Sequence, residues 1–284
     1  MKAPPFAYTR AHSLEEVFGL LATHGEGAKL LAGGQSLLAA LNMRFSSPRI
    51  LIDISRIADL TGIRLAGGKV HIGALTTHAE IEQSREIAAN LPLLAQAAPH
   101  IAHVAIRNAG TMGGSIAIAD PAAEWPACCL ALEAEFVVAA KTGMRRVKAV
   151  DFFKGVFATD LRPGEVLTGV EIPMPSAGHR SAFLELARRR GDYAIAGVAA
   201  VATMADGALS NLRLAYLGAG ETPVLARGAM AAAEARRPAA AVTAACVAAL
   251  AGDLQPAADI YSTPATKLHL ARVLTARALA ALAA

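Results

Sequence analysis

The ten residues Lys29-Leu-Leu-Ala-Gly-Gly-Gln-Ser-Leu-Leu38, named the first glycine loop below, decide how the rest of the chain is interpreted. Leu30 and Leu31 predict a short buried strand, and the apolar residues from Leu37 onward predict the start of a helix. Gly33-Gly34 lies between them, so several backbone N–H groups would meet at one point. Such groups bind a phosphate or diphosphate, although this stretch alone is better explained as an ordinary glycine turn.

A second stretch of the same kind changes that balance. Arg107-Asn-Ala-Gly-Thr-Met-Gly-Gly-Ser115, the second glycine loop, also precedes an apolar run, Ile116-Ala-Ile118. Each glycine pair is followed by a small hydroxyl residue, Ser36 one position further on in the first loop and Ser115 directly in the second. Together the two loops predict a diphosphate that is held from two sides.

Composition excludes several classes of protein. Of the 284 residues, 54% are hydrophobic and 18% are charged, which is typical of a folded chain and not of a disordered one. The formal net charge is only +4, and the basic residues are scattered apart from short runs such as Arg145-Arg146 and Arg188-Arg-Arg190, so no nucleic-acid surface is indicated. The sequence contains neither an apolar run typical of a transmembrane helix nor the apolar segment of a signal peptide. We therefore expect a cytoplasmic protein.

The three cysteines do not form a metal-binding pattern. Cys128 and Cys129 are adjacent in an apolar, helix-like run, and Cys246 stands alone in an Ala-rich run. An iron–sulfur cluster needs four suitably spaced ligands, and zinc sites prefer Cys-x-x-Cys or mixed His/Cys sets. We expect buried thiols that pack as small apolar groups, and no metal on this chain.

Local signals predict an N-terminal part that contains both glycine loops. Ser13-Leu-Glu-Glu16 predicts a capped helix start, and Gly67-Gly68 predicts a two-residue hairpin. Asp120-Pro121 predicts a second helix start, with Asp120 as the N-cap residue. Pro173-Met-Pro175 ends a predicted strand and is the best candidate for a domain boundary.

Beyond that boundary the pattern changes to antiparallel strands and then to helices. Three strands are predicted, over Ser181–Arg190, Ile195–Met204 and Leu209–Leu217, and Asp206-Gly207 is a strong hairpin signal between the last two. From about Leu225 the chain is Ala-rich and predicted to be helical.

Common catalytic signatures are missing from the sequence. There is no Gly-x-Gly-x-x-Gly after a predicted strand, no His-Glu-x-x-His and no complete nucleophile elbow. Two phosphate-binding loops without a strong acid–base or nucleophile set indicate that a bound cofactor supplies the chemistry.

Five blocks of the sequence stand in the same order as in a known family. The chain resembles the medium, FAD-binding subunit of the molybdenum hydroxylases, which include carbon monoxide dehydrogenase, the nicotine and quinoline dehydrogenases, and the flavin domain of xanthine dehydrogenase. The resemblance covers nearly the whole chain. The blocks are Ala32-Gly-Gly-Gln-Ser36, Ile72-Gly-Ala-Leu-Thr-Thr-His78, Ile106-Arg-Asn-Ala-Gly-Thr-Met-Gly-Gly-Ser115, Ala119-Asp-Pro-Ala-Ala-Glu124 and Gly191-Asp-Tyr-Ala-Ile195.

This resemblance implies an α+β fold. Residues 1–176 would form a two-part FAD-binding domain of the vanillyl-alcohol-oxidase (PCMH) type, with subdomains of about 1–55 and 56–176. Residues 177–284 would form the C-terminal domain of the carbon monoxide dehydrogenase flavoproteins, a three-stranded antiparallel sheet with a helix bundle.

The resemblance also implies a set of residues that bind non-covalent FAD. Both glycine loops would hold the diphosphate through backbone N–H groups and the hydroxyls of Ser36, Thr111 and Ser115. The implied FAD-binding residues are Leu31, Ala32, Gly33, Gly34, Gln35, Ser36, Leu37, His78, Ile101, Gly110, Thr111, Gly113, Gly114, Ser115, Ile118, Glu124, Leu167 and Tyr193.

Individual roles are implied for four of these residues, and plainer explanations stay open for Glu124, Tyr193 and His78. Glu124 would accept hydrogen bonds from sugar or ribityl hydroxyls, or it is an ordinary helix-start carboxylate. Ile101 would pack against the adenine and Leu167 near the flavin ring. Tyr193 would shield the isoalloxazine, without acid–base action, or it is a core or edge-strand tyrosine. His78 is equally well explained as a surface residue.

One position departs from the family pattern. Many members carry a lysine in the strand before the arginines, where this chain has Glu185. A cationic partner for the reduced flavin is therefore not expected from that strand.

The function implied by the resemblance is electron transfer. Electrons from a substrate oxidised at molybdenum in a large partner subunit would pass through [2Fe–2S] clusters of a small partner subunit to FAD on this chain, and then to an external acceptor. A dimer of such heterotrimers would be the usual assembly. Two alternatives stay open, a self-sufficient FAD-dependent oxidase or dehydrogenase of the same fold and a non-redox nucleotide-binding module.

Overall fold

The first glycine loop joins a strand to a short helix in the computed structural model, which describes residues 2–284. This first region contains β1 (Ala7–Arg10), α1 (Leu14–His24), β2 (Ala28–Leu31), α2 (Leu37–Asn42) and β3 (Ile50–Asp53). The three strands are parallel, in the order β1-β3-β2. Only the central strand β3 is buried along its whole length. Leu30 and Leu31 are half-buried, not buried as predicted, because β2 is an edge strand.

The second region is built on a five-stranded antiparallel sheet of order β4-β5-β10-β6-β7. The hairpin between β4 and β5 forms where predicted, with Gly67 and Gly68 both at positive φ (58° and 72°), the geometry of a type I′ turn. The five strands of this sheet are β4 (Ile63–Ala66), β5 (Lys69–Gly73), β6 (Glu135–Ala140), β7 (Gly143–Lys148) and β10 (Val166–Pro173). The second region also contains two shorter strands, β8 (Phe153–Gly155) and β9 (Ala158–Thr159). Its helices are α3 (His78–Gln83), α4 (Arg85–Asn90), α5 (Pro92–Ala97), α6 (Val104–Arg107), α7 (Met112–Ile118), α8 (Glu124–Ala131) and α9 (Ala149–Phe152).

The third region contains the three predicted antiparallel strands and a short fourth one. Asp206 and Gly207 form the predicted hairpin, both at positive φ (51° and 75°). This C-terminal sheet has the order β11-β12-β13-β14, from β11 (His179–Ala187), β12 (Ala194–Ala205), β13 (Ala208–Leu217) and β14 (Val224–Leu225). Three helices follow, α10 (Arg227–Ala233), α11 (Ala240–Asp253) and α12 (Pro264–Ala283).

Both faces of the C-terminal sheet are buried. One face, which includes Phe183 and Val201, joins the main hydrophobic core under α5 and α8 of the second region. The opposite face, which includes Val198 and Leu214, packs under α10 and α12 in a second core, and α11 packs against these two helices. Arg213 strengthens the junction by donating to the carbonyl oxygens of Leu130 and Ala131 at the end of α8, both at 2.9 Å.

The predicted helix start at Asp120 is wrong. The side chain of Asp120 accepts from the N–H of Ala122 (2.9 Å) in a turn, and α8 begins only at Glu124. Pro121 is held in this turn by a contact far along the chain, because its carbonyl oxygen accepts from the N–H of Gly218 (2.8 Å). Within residues 2–284, every helix is too short or too polar to cross a membrane.

Candidate functional site

The two glycine loops touch each other through their backbones. A Cβ atom added to Gly33 would lie 1.9 Å from the carbonyl oxygen of Ala109 and 2.9 Å from the Cα of Gly110. No side chain fits at position 33 while the loops remain in contact. The strand–glycine–helix turn of the first region therefore meets the second region at this point.

The first glycine loop has unused hydrogen-bond donors. Across the described chain, no acceptor is found for the backbone N–H groups of Gly33, Gly34, Gln35, Ser36 and Leu37. Gly34 has a φ of +72°, which turns the backbone within this run. Ser36 occupies the N-cap position of α2 without a side-chain cap bond. Consecutive N–H groups without a partner form a concave site for an anion.

The second glycine loop is different, because nearly all of its N–H groups are already used within the protein. Met112, Gly113, Gly114 and Ser115 each donate to a protein acceptor. The acceptors are, in that order, Thr76 O (2.9 Å), Ala74 O (2.8 Å), Thr111 Oγ1 (3.1 Å) and Thr111 O (3.1 Å). Five consecutive N–H groups are therefore free in the first loop, whereas in the second loop only the N–H of Thr111 lacks an acceptor among residues 2–284. The second loop is braced, and it can offer this one N–H group and the hydroxyls of Thr111 and Ser115.

The glycines of the second loop serve different purposes. A Cβ on Gly110 would lie 2.8 Å from Nε2 of His78, and one on Gly113 would lie 2.5 Å from the Cβ of Ala74. Gly114 has a single neighbour within 4 Å, the hydroxyl of Thr111 at 2.9 Å. Packing of the protein itself thus explains Gly110 and Gly113, whereas Gly114 leaves an open backbone face.

His78 is buried, so its interpretation as a surface residue is wrong. Its Nδ1 accepts a 2.9 Å hydrogen bond from Nε1 of Trp125, whose side chain is fully buried. Burial, assisted by the charge of Arg107, lowers the pKa of His78 to about 4. The neutral ring then carries its proton on Nε2, which faces Gly110. Sequence reasoning missed Trp125, although it is the chain's single tryptophan and directly follows Glu124.

Arg107, whose role sequence reasoning also missed, holds the turn at Ile101 and Ala102. Its Nη1 donates to the carbonyl oxygens of Ile101 and Ala102, both at 3.1 Å, and its Nε donates to Glu82 at 2.7 Å. Ala102 has a φ of +43°, so this turn is sharp. The only sequence signal for this role of Arg107 was its position as the first residue of the second glycine loop.

The loop between β11 and β12 rests on this same turn. A Cβ on Gly191 would lie 2.7 Å from both the carbonyl oxygen of Ala102 and Nδ1 of His103. Tyr193 follows in this loop, with 74% of its surface exposed, which excludes a core tyrosine. The contact brings the Tyr193 loop close to Ile101, which is itself buried.

Glu124 begins α8 and is buried, with 8% of its surface exposed. Burial, with a smaller contribution from Asp120, raises its pKa to about 7. Leu167 is buried on β10, and the next residue, Thr168, accepts from the N–H of Ala74 (3.0 Å), which connects it to the second loop. The half-buried members of the predicted set are Leu31, Ala32, Gly33, Gly34, Leu37, Gly114, Ser115 and Ile118.

Metal-binding geometry is not part of this arrangement. All three cysteines are buried, and burial raises the pKa of the Cys129 thiol far above its ordinary value. In the part of the chain that the structure describes, no three His, Cys, Asp or Glu side chains are grouped as metal ligands would be.

Comparison with known proteins gives consistent matches over the whole chain. Residues 4–175 match the family described as the FAD-binding domain in molybdopterin dehydrogenase, and residues 181–282 match the carbon monoxide dehydrogenase flavoprotein C-terminal domain. The chain is 44% identical over 225 residues to the alpha subunit of the 6-hydroxypseudooxynicotine dehydrogenase complex of Paenarthrobacter nicotinovorans, covering 79% of this chain and 76% of the relative. It is 41% identical over 228 residues to the carbon monoxide dehydrogenase medium chain of Hydrogenophaga pseudoflava, covering 80% and 79%.

A solved structure gives the same result. The structure of carbon monoxide dehydrogenase from Hydrogenophaga pseudoflava that lacks the Mo-pyranopterin moiety of its cofactor contains a chain that superposes with a TM-score of 0.97 at 39% identity. The match covers 99% of this chain and 98% of that one.

Proposed function

This chain belongs to the family of FAD-binding flavoproteins of the molybdopterin dehydrogenases, and from that membership we propose how its own residues hold FAD and deliver electrons. The chain is an oxidoreductase subunit, the medium subunit of a molybdenum hydroxylase complex. Its cofactor is FAD, bound without a covalent link. The α+β fold is that of the carbon monoxide dehydrogenase flavoprotein.

One observation supports the diphosphate site most strongly. The five consecutive N–H groups from Gly33 to Leu37 lack protein acceptors in the described residues, and they lie where the two regions meet. An anion with several oxygen atoms satisfies such a group of donors, and bonds to a charged acceptor are stronger than neutral ones. The hydroxyls of Ser36, Thr111 and Ser115 supply further donors, and the open face of Gly114 allows close approach.

The other residues hold the remaining parts of the cofactor in this proposal. Glu124 accepts from ribityl or ribose hydroxyls, and Ile101 packs against the adenine. Leu167 and the exposed ring of Tyr193 flank the isoalloxazine. His78, fixed by Trp125, directs its Nε2–H toward the second loop and keeps that loop in place.

Bound FAD would supply a redox centre that accepts electrons singly and passes them to an external acceptor. The protein's part is to fix that centre between partners. We infer a small [2Fe–2S] subunit and a large molybdopterin subunit, assembled as a dimer of heterotrimers in the cytoplasm. Within this chain, residues 1–176 would bind FAD, and residues 177–284 would cover the flavin ring of the bound cofactor.

The test begins with the purified chain. We expect stoichiometric FAD, all of it released into the supernatant by acid precipitation. A small [2Fe–2S] subunit that has been reduced and freed of reductant should reduce this flavin, whereas organic substrates should reduce it only in the complete three-subunit complex. Rapid reduction of the isolated chain by an organic substrate would favour the self-sufficient flavoenzyme. A chain that binds no flavin would favour the non-redox module.

A further inference from the structure

The two arginine runs of the chain have different surroundings. Arg145-Arg146, on β7, forms ion pairs of 2.7 to 2.8 Å with three carboxylates, those of Asp160, Glu165 and Glu171. Arg188-Arg-Arg190, directly after β11, is exposed, and no carboxylate among residues 2–284 lies within ion-pair distance of its three side chains. The first run is thus used within the protein, whereas the second presents its charge to the solvent.

Exposed apolar side chains lie beside this second run. The ring of Tyr261, in the loop between α11 and α12, lies 4.4 Å from Cζ of Arg188, the geometry of a cation–π contact. Tyr261 is 65% exposed and its neighbour Ile260 is 86% exposed. The carboxylate of the same loop, Asp259, is already paired with Lys267 (2.8 Å), so it does not neutralise the arginines.

The arginines belong to the loop that carries Tyr193. Arg188 and Tyr193 are five residues apart, and between them Gly191 rests on the turn at Ala102. Asp192 is the only acidic residue of this loop, so residues 188–193 have a formal charge of +2. The basic surface, defined here as Arg188, Arg189, Arg190, Tyr193, Ile260 and Tyr261, therefore lies at the end of the site where the flavin ring is proposed to be.

The composition of the basic surface differs from that of a permanent subunit interface. Interfaces that stay assembled are apolar, and their cores are depleted of charged residues. Encounters between electron carriers bury little area and depend on attraction between opposite charges, which raises the association rate. Three guanidinium groups without a partner carboxylate, next to exposed tyrosine rings, match the second kind of contact.

We propose that the basic surface is the transient docking site of the external electron acceptor, and that this acceptor is a one-electron carrier protein with an acidic surface. The inference rests on the proposed function and identifies the class of acceptor. Two docking events oxidise one FADH⁻ to FAD, reduce two carrier molecules by one electron each and release one proton to solvent. The arginines attract and orient the carrier, and the exposed rings of Tyr193 and Tyr261 supply the apolar centre of the contact.

The test uses the full chain loaded with FAD, reduced under anaerobic conditions and freed of reductant. The probes are cytochrome c and succinylated cytochrome c, which have the same haem and fold but a basic and an acidic surface. In stopped-flow experiments at about 0.01 M ionic strength, where the Debye length is about 30 Å, the succinylated form should oxidise the flavin at least tenfold faster. The difference should disappear at about 1 M salt, where the Debye length is about 3 Å.

Paired variants locate this effect on the surface. Arg189→Gln/Arg190→Gln should slow the reaction with succinylated cytochrome c at least fivefold at low salt, with unchanged FAD content. Arg236→Gln/Arg237→Gln is the matched control, because it removes the same charge from exposed positions beside the β12–β13 hairpin. The 12 residues of β12 separate the two sites by roughly 35 Å, so the control should react within twofold of wild type. Equal rates with both probes, or equal losses in both variants, would overturn the inference.

Co-expression with the small and large subunits separates a transient site from a permanent interface. Arg189→Gln/Arg190→Gln should assemble as wild type does, and the chemically reduced wild-type complex should still react faster with the succinylated probe. Failure of the variant to assemble, or loss of the preference in the complex, would show that a permanent partner covers the surface and would overturn the inference. Failure of the proposed function looks different, because the wild-type chain would then purify without FAD.

Discussion

Gly33→Ala tests the contact between the two glycine loops. Gly33 is not at positive φ, so alanine fits its backbone and the effect of the change is purely steric. The added methyl would lie 1.9 Å from the carbonyl oxygen of Ala109 and 2.7 Å from its carbonyl carbon. Close carbon–oxygen contacts in proteins begin at about 3.3 Å, so the loops must separate by about 1.4 Å.

The first loop has to supply most of this movement. The N–H groups of Ala109 and Gly110 both donate to the carbonyl oxygen of Ile106, and the carbonyl oxygen of Gly110 accepts from the backbone N–H of His78 (2.9 Å), so the second loop is fixed. A shift of this size removes at least two hydrogen bonds from the first loop to the diphosphate. At about 1.5 kcal/mol for each bond to a charged acceptor, Kd for FAD should rise about 100-fold.

Calorimetric titration of apo-protein with FAD measures the effect, and circular dichroism shows whether the variant is folded. Gly19→Ala is the matched control, because Gly19 lies inside α1 with nothing within 4 Å of an added Cβ. We expect unchanged FAD affinity for the control, with about 0.5–1 kcal/mol more stability. Wild-type affinity in Gly33→Ala would refute the two-loop site.

Three further predictions concern single positions in the site. Gly114→Val should give folded, colourless protein, because its side chain fills the open face; stoichiometric flavin in the purified variant would contradict this. Tyr193→Ala should change the rate of flavin reoxidation in stopped-flow experiments while FAD content stays near wild type, and an unchanged rate would make Tyr193 structural. His78 has a pKa of about 4 in the folded protein, below its ordinary value of about 6.5. Between pH 6.5 and pH 4 the histidine is therefore protonated in the unfolded chain but not in the folded one. The contribution of neutral His78 to the free energy of unfolding should be complete above pH 6.5, and the free energy of unfolding should fall by at most about 3 kcal/mol as pH drops to 4. In thermal unfolding experiments, His78→Gln should show a smaller loss over this pH range.

The sequence predicted the features that depend on neighbouring residues. The hairpins at Gly67-Gly68 and Asp206-Gly207 formed as predicted, because two adjacent residues at positive φ define that turn without outside help. The family and its FAD cofactor were also predicted correctly from five short blocks.

Features set by distant contacts were not predictable in this way. Burial of His78 depends on Trp125, 47 residues away, and the loop at Pro121 depends on Gly218. The unequal roles of the two glycine loops follow from which N–H groups find acceptors in Ala74 and Thr76. Equal sequence patterns therefore concealed different hydrogen bonding.

Because both faces of the C-terminal sheet are buried, the C-terminal segment is not expected to fold by itself. Residues 181–282 match a family as a unit of sequence, yet one face of their sheet is covered only by helices from upstream. Cut free, this segment would expose Phe183, Val201 and Leu217 to water. During synthesis these strands emerge after α5 and α8, so the surface they need is already made. The segment matches one family model but is expected to fold only on the preceding part of the chain. Expressed alone, it is expected to aggregate.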